Sequence, residues 1–262
     1  MKSMRGRVEL SVAARDRLIH IASPVILLVL WELAVRVGIV DARFFPPPSR
    51  IFKTLVTLTE SGELWKNTWA SLQRLFWGAL IGGIPALLLG ISMGIYRPLR
   101  AAIEPLVAAT YPVPKSAILP LILLIFGLGE ASKIAMVAIG VFYPVLINAV
   151  AGVLQISRIY LDVGKNFGAS RWRVLSTIAL PGALPLIMTG VKLGVGMGLI
   201  LIAIAEMVGA KSGLGYMIWN AWEILSVETM YVGLLVIAVL GYVFTLLLNE
   251  LERWIIPWKT EH

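Results

Sequence analysis

Two short runs in this 262-residue chain have spacings that do chemistry in other settings. Gly90-Ile91-Ser92-Met93-Gly94 has the G-x-S-x-G spacing of a nucleophile elbow, which holds a serine on a sharp strand-to-helix turn within reach of a histidine base. Gly194-Val195-Gly196-Met197-Gly198 opens like a dinucleotide fingerprint, whose glycines follow a strand and let the backbone approach a pyrophosphate. Neither context is present. Both runs lie inside long apolar stretches, and the two histidines, His20 and His262, stand near the ends of the chain. Gly209-Ala210-Lys211-Ser212 lacks the spacing of a phosphate-binding loop, and there is no cysteine for a disulfide, a thiolate ligand or a nucleophile. A membrane-embedded enzyme would therefore lack both a nucleophile–base pair and a metal cluster. What remains is ionisable residues in apolar sequence, which are costly at membrane depth and are functional candidates by default. Lys115 lies in mid-stretch, where it would favour an anionic cargo. Lys192 lies about two turns from the inner end of its stretch, within snorkelling distance. Glu206 ends the same stretch on the outer side, where a carboxylate costs little.

The stretches that carry these residues are membrane spans. The chain is 58% hydrophobic and 15% charged, against about 45–50% and about 25% in soluble domains. Six windows are long enough to cross hydrocarbon as helices: Ile21–Ile39, Leu75–Ile95, Pro105–Phe126, Ile134–Leu154, Leu184–Ala205 and Met230–Asn249. None alternates as barrel strands do. No small-residue cleavage site follows the first window, so it reads as a retained span. With residues 1–20 inside, the segments 1–20, 97–100, 155–183 and 250–262 hold more than twice as many Lys and Arg as the outer segments, which contain Arg43, Arg50, Lys53, Lys66, Lys133 and Lys211. The positive-inside rule then predicts two cytoplasmic termini. Topology accounts for the net charge of +8 without any nucleic-acid partner. The organisation expected is a basic cytoplasmic N-terminus, 1–20, followed by a six-helix transmembrane domain, 21–262.

Gly78, Gly82, Ala86, Gly90 and Gly94 recur at every fourth position of the second span, and Gly190, Gly194 and Gly198 repeat the device in the fifth. Small residues at this spacing let helix backbones meet closely in lipid, either as fixed packing or as surfaces that rock. The third span contains Pro105, Pro112, Pro114 and Pro120. Such a span should break, and the break either lines a pathway through Tyr111, Pro112, Pro114 and Lys115 or is a structural kink. Lys192 and Glu206 are further pathway candidates. Outside, Trp65, Trp69 and Trp77 suggest an aromatic belt on a helix along the membrane, and residues 206–229 suggest a short re-entrant or surface helix. No inverted repeat relates the two halves, which argues against the secondary-transporter folds built on one.

The inner segment 155–183 reads as two short helices joined at Gly168. The second helix, Ala169 to Thr177, would be capped by Ser170 and stopped by Pro181. Trp172 and Leu175 make an apolar patch between Arg171 and Arg173, fit to lie on the bilayer or to dock into a partner's groove. This segment resembles the EAA loop of binding-protein-dependent ABC transporter permeases, in which E-A-A, three residues, glycine, nine residues and I-x-L-P follow one another. Gly168, Ile178, Leu180 and Pro181 stand at that spacing, and Asp162-Val163-Gly164 replaces E-A-A with a carboxylate one methylene shorter. Pro112-Val113-Pro114-Lys115, Leu119-Pro120-Leu121, Phe126-Gly127-Leu128-Gly129-Glu130, Pro181-Gly182-Ala183-Leu184-Pro185 and Ala205-Glu206-Met207-Val208-Gly209 look like the branch serving nitrate, bicarbonate, taurine and alkanesulfonate importers.

The resemblance implies an all-α, six-helix permease of the type I ABC importer fold. It would sit as a multi-pass homodimer in the bacterial cytoplasmic (inner) membrane. Two copies of a cytoplasmic ATP-binding subunit would bind ATP and magnesium, and an extracytoplasmic substrate-binding protein would deliver cargo. This chain itself would carry no cofactor and no catalytic activity. Asp162, Gly168, Ala169, Ser170, Arg171, Trp172, Arg173, Ile178, Leu180 and Pro181 would form the ATPase-coupling loop between helices 4 and 5, with Trp172 as its packing anchor. A sulfonate, nitrate or bicarbonate-like anion is the first choice of cargo, and heterocyclic vitamin precursors and aromatic acids are carried in the same branch. The alternative is a stand-alone channel or secondary carrier, which would have to work without the partner this loop is suited to dock.

Overall fold

The computed structural model describes residue 19 and residues 22–258, so most of the basic segment 1–20, together with Ile21, Lys259 and His262, lies outside the described residues. Regular structure among the described residues is helical throughout. Residues 22–36 form α1. There follow α2 (Pro48–Glu60), α3 (Glu63–Ile95), α4 (Arg97–Thr110), a 3-10 turn (Lys115–Ile118), α5 (Leu119–Phe126) and α6 (Glu130–Leu154). The rest is α7 (Arg158–Asn166), α8 (Arg171–Val174), one wide π-turn (Leu175–Ala179), α9 (Leu180–Met207), α10 (Leu214–Glu223) and α11 (Val227–Ile255). Proline stands in the first turn of α2, α4, α5 and α9, where its missing N–H costs nothing.

At the centre α6 is sandwiched between α3 and α9, and both glycine stripes close on it. A Cβ added at Gly78 would meet the Val137 side chain at 2.4 Å, one at Gly90 the Ala149 Cβ at 2.6 Å, and one at Gly94 the Val153 Cβ at 2.5 Å. On the other side, a Cβ at Gly190 would lie 2.9 Å from the Pro144 carbonyl, and one at Gly194 3.2 Å from the Val141 carbonyl. At Gly198 it would reach Leu75 at 2.9 Å and Val137 at 3.3 Å. Backbone lies on backbone along both seams, and the three helices form one closely packed slab, the tight packing that the two glycine stripes suggested.

Several expected boundaries move. Among the described residues four helices are long and apolar enough to span alone, and a fifth span is reached only by joining two helices that bend by 87° (Arg97–Thr110 and Lys115–Phe126). The third window is thus an elbow, not a straight span, because Pro112 and Pro114 remove two donors within three residues. Trp65, Trp69 and Trp77 are not on a separate surface helix: α3 begins at Glu63 and runs straight into the second span. Pro181 does not stop a helix. It lies in the first turn of α9, and helical chain continues from Trp172 to Met207. The short helix expected within 206–229 is present as α10.

The seams predict a contrast between neighbouring glycines. Alanine is the better helix former, yet at Gly82 its Cβ would lie 2.2 Å from the Ala138 carbonyl oxygen, whereas at Gly83 the nearest atom is Val141 Cγ1 at 3.5 Å. Gly82→Ala should destabilise the protein by about 1–3 kcal/mol, lowering Tm in detergent, while Gly83→Ala leaves Tm unchanged or slightly raised.

Candidate functional site

The loop end is built on a left-handed turn. Gly168 has φ +71°, which lets α7 fold back towards α8. The Arg173 N–H donates to Ser170 Oγ at 3.3 Å, so Ser170 caps α8. Gly164 makes the hairpin close, because a Cβ there would meet Ile178 Cδ1 at 3.0 Å and Val174 Cγ2 at 3.2 Å. Asp162 lies on α7. Ala169 is half-buried, Ile178 and Pro181 are partly covered, and Leu180 and Arg173 are exposed. Arg171 opens α8. Trp172 is 74% exposed, a large apolar surface at the end of the bundle with little cover from the described residues of this chain.

At the elbow, Lys115 turns out to be fully occupied. Its ammonium donates to the carbonyls of Thr110 at 3.1 Å, Tyr111 at 2.7 Å and Val113 at 2.8 Å, and it lies 4.3 Å from the centre of the Tyr143 ring. An ammonium has three donors and all are spent on carbonyls freed by the break. Tyr111, Pro112 and Pro114 are exposed around it. Lys192 points towards the start of α9, as helical side chains do, and pairs with Glu252 of α11.

The far end of the slab holds a buried polar network. Glu206 is fully buried and is ion-paired with Arg74 of α3 at 2.8 Å. Both Glu206 oxygens accept from Ser71 Oγ, at 2.8 and 2.9 Å, and Oε2 accepts from the Gly215 N–H at 3.0 Å. The two preceding N–H groups at the start of α10 are also met: Gly213 donates to Asn67 Oδ1 at 2.9 Å and Leu214 to Ser71 Oγ at 2.8 Å. Gly213 and Gly215 allow this approach. The first has φ +119°, and a Cβ on the second would lie 2.1 Å from the Ala203 carbonyl. Arg74 also donates to the Ser212 carbonyl at 2.6 Å and to Glu130 of α6. Lys133, one turn along α6, is buried and donates to the Leu128 carbonyl. The cost of burying Glu206 is thus met by one cation and several donors.

The sequence pattern pointed to Glu206 but not to its setting, and it missed Asn67, Ser71, Arg74, Glu130, Ser212 and Glu252. One signal was available: Asn67, Ser71 and Arg74 are four and three residues apart, a polar stripe continuous with Gly78 on one helix face.

A family model described as binding-protein-dependent transport system inner membrane component matches residues 86–259. The chain belongs to this family. The permease is 34% identical over 256 residues to the taurine transport system permease protein TauC of Escherichia coli, covering 95% of this chain and 92% of that one. It is 30% identical over 239 residues to the putative aliphatic sulfonates transport permease protein SsuC of Bacillus subtilis, covering 91% and 87%. Among solved structures, an inward-facing MetNI methionine ABC transporter matches with a TM-score of 0.60 at 18% identity, over 71% of this chain and 93% of that chain. An amino acid ABC transporter with histidines gives 0.60 at 18% identity, over 78% and 98%. The fold is therefore that of a type I ABC importer permease, and the molecule is a multi-pass membrane transport subunit.

In the permease, loss of the Glu206 carboxylate strips acceptors from Ser71 and Gly215 and half the countercharge from Arg74. Glu206→Ala should cost about 3–5 kcal/mol, read as a large fall in Tm in detergent. Lys211→Ala, exposed in the neighbouring loop, should change stability by less than about 0.5 kcal/mol.

Proposed function

We propose that this permease moves taurine or a related aliphatic sulfonate inward, driven by ATP hydrolysis in a separate subunit. The observation that carries the substrate class is the 34% identity to the taurine permease over 95% of the chain. Among the anions the sequence suggested, that relative favours a sulfonate over nitrate or bicarbonate. The working particle is a homodimer of this chain with two ATP-binding subunits, which hold ATP and magnesium, and an external binding protein. Both termini and the 155–183 loop face the cytoplasm, as the distribution of Lys and Arg supports.

The loop is suited to coupling because of how it is built. Gly168 and Ser170 fix α8, Trp172 presents an uncommitted apolar face, and α8 continues through the π-turn into α9. A groove in the ATPase that closes on Trp172 therefore moves α9, and with it the slab, as a two-state element biased by the nucleotide.

Reconstitution in liposomes with its ATPase and binding protein tests this reading: ATP-dependent taurine uptake is expected, and uptake of taurine by the chain alone without ATP would replace it with a carrier. Trp172→Ala removes an exposed side chain and should leave Tm within about 1 kcal/mol equivalent of wild type. The same change should cut transport-stimulated ATPase activity by about tenfold or more, the loss of one aromatic anchor at an interface.

A further inference from the structure

The Arg74 guanidinium divides its edges between two carboxylates of very different freedom. Nη1 is committed inward, to Glu206 at 2.8 Å and the Ser212 carbonyl at 2.6 Å. Nε and Nη2 face Glu130, each 2.6 Å from one of its oxygens, the parallel two-bond pairing of a guanidinium with a planar anion. Glu206 cannot leave, being fully buried and bound to Ser71 and Gly215 as well. Glu130 stands on the first turn of α6 with its side chain 67% exposed, while that of Arg74 is 4% exposed. The Glu130 carboxylate therefore lies between the guanidinium and solvent.

The Glu130 arm is not needed to hold α3 to α6. Within the next two turns of α3, Gly78 lies against Val137 and Gly82 against the Ala138 backbone, so the helices are already locked. What the arm does is fill a two-toothed, singly charged anion position at the end of the bundle opposite the 155–183 loop.

We propose that this position is an exchange site for the cargo: a sulfonate displaces Glu130 from the Nε/Nη2 edge of Arg74 as it enters the permease. The inference rests on the reading above, that the cargo is a sulfonate arriving at this end. A sulfonate offers two oxygens to the same fork a carboxylate occupies, and its third oxygen meets the Ser212 hydroxyl, which is 3.2 Å from Nη2. The sulfonate group brings the same single negative charge to the guanidinium edge, so a simple alkanesulfonate leaves the charge of the site unchanged, and taurine adds its ammonium. Glu206 holds Arg74 in place and compensated throughout. The displaced Glu130 swings into water on its exposed side. Because Glu130 is tethered beside the site, it competes at an effective concentration on the order of millimolar and expels the bound anion again. Weak, reversible capture is what a pathway requires.

The test uses the purified permease in nanodiscs of zwitterionic phosphatidylcholine, without binding protein, titrated with methanesulfonate. Glu130→Gln keeps the shape and removes the competing charge. It should bind methanesulfonate about tenfold more tightly than wild type, show no gain for neutral methanesulfonamide, and lose the gain when Arg74→Gln is added. Equal methanesulfonate affinity in variant and wild type, or an equal gain for methanesulfonamide, overturns the exchange site. If Glu130→Gln does not purify folded, Glu130→Ala is judged by the same criteria. Sulfonate uptake by the wild-type complex separates the two readings. Uptake without the affinity gain overturns the exchange and leaves import standing. The gain without uptake of any sulfonate overturns the import reading and leaves an anion site at Arg74.

Discussion

Lipid offers no hydrogen bonds, so each place where a helix is interrupted within this apolar chain must be satisfied by the protein itself. That constraint explains where its charges are. Lys115 takes the carbonyls left at the end of α4, and Lys133 takes the Leu128 carbonyl just beyond the end of α5. Glu206, with Asn67 and Ser71, takes the N–H groups that open α10. Glu32 does the same for α2, accepting from the Ser49 N–H at 3.0 Å and its hydroxyl at 2.8 Å. In these four cases the cation meets carbonyls at a C-terminal end and the anion meets N–H groups at an N-terminal end, the arrangement the helix dipole favours. Arg74 follows from the same logic, because a carboxylate as deep as Glu206 needs a cation.

The breaks themselves come from proline and glycine, and this part of the structure was legible in the sequence. Pro112 and Pro114 marked the elbow, and the glycine stripes marked two close helix contacts. The resemblance of the 155–183 loop gave the fold. What could not be read locally was the partner of each feature. Both stripes close on α6, whose Val137, Ala138, Val141 and Ala149 look no different in sequence from residues that face lipid. Glu206 looked cheap because it ends its own span, but α10 returns beside Ala203 and buries it. Its depth is a tertiary property. Asn67, Ser71 and Arg74 were visible as a helical stripe, yet they precede the apolar window that begins at Leu75 and so escape any reading based on hydropathy. The elbow bends by 87° and Lys115 lies over the Tyr143 ring of α6, a tertiary contact that no local pattern encodes.

The rigidity of the slab decides how a signal can cross the permease. Trp172 and Glu206 lie at opposite ends of one helical run, Trp172–Met207, of 36 residues, about 50 Å at 1.5 Å per residue. Along that run Gly190, Gly194 and Gly198 fasten α9 to α6, and Gly78 to Gly94 fasten α6 to α3. These seams leave little room for a small slip, so under the proposed coupling a displacement at Trp172 would tilt the three helices together. The π-turn at Leu175–Ala179 is the one widened turn in the run, and bends in helices concentrate at such turns. It lies on the Trp172 side of the seams, between the loop and the slab. The far end would then move as part of the block, with the bonds of Glu206 to Arg74, Ser71 and Gly215 intact. On the proposed exchange, an anion in place of Glu130 would be reoriented with the whole block, and only the Glu130 arm of the network would open at each cycle.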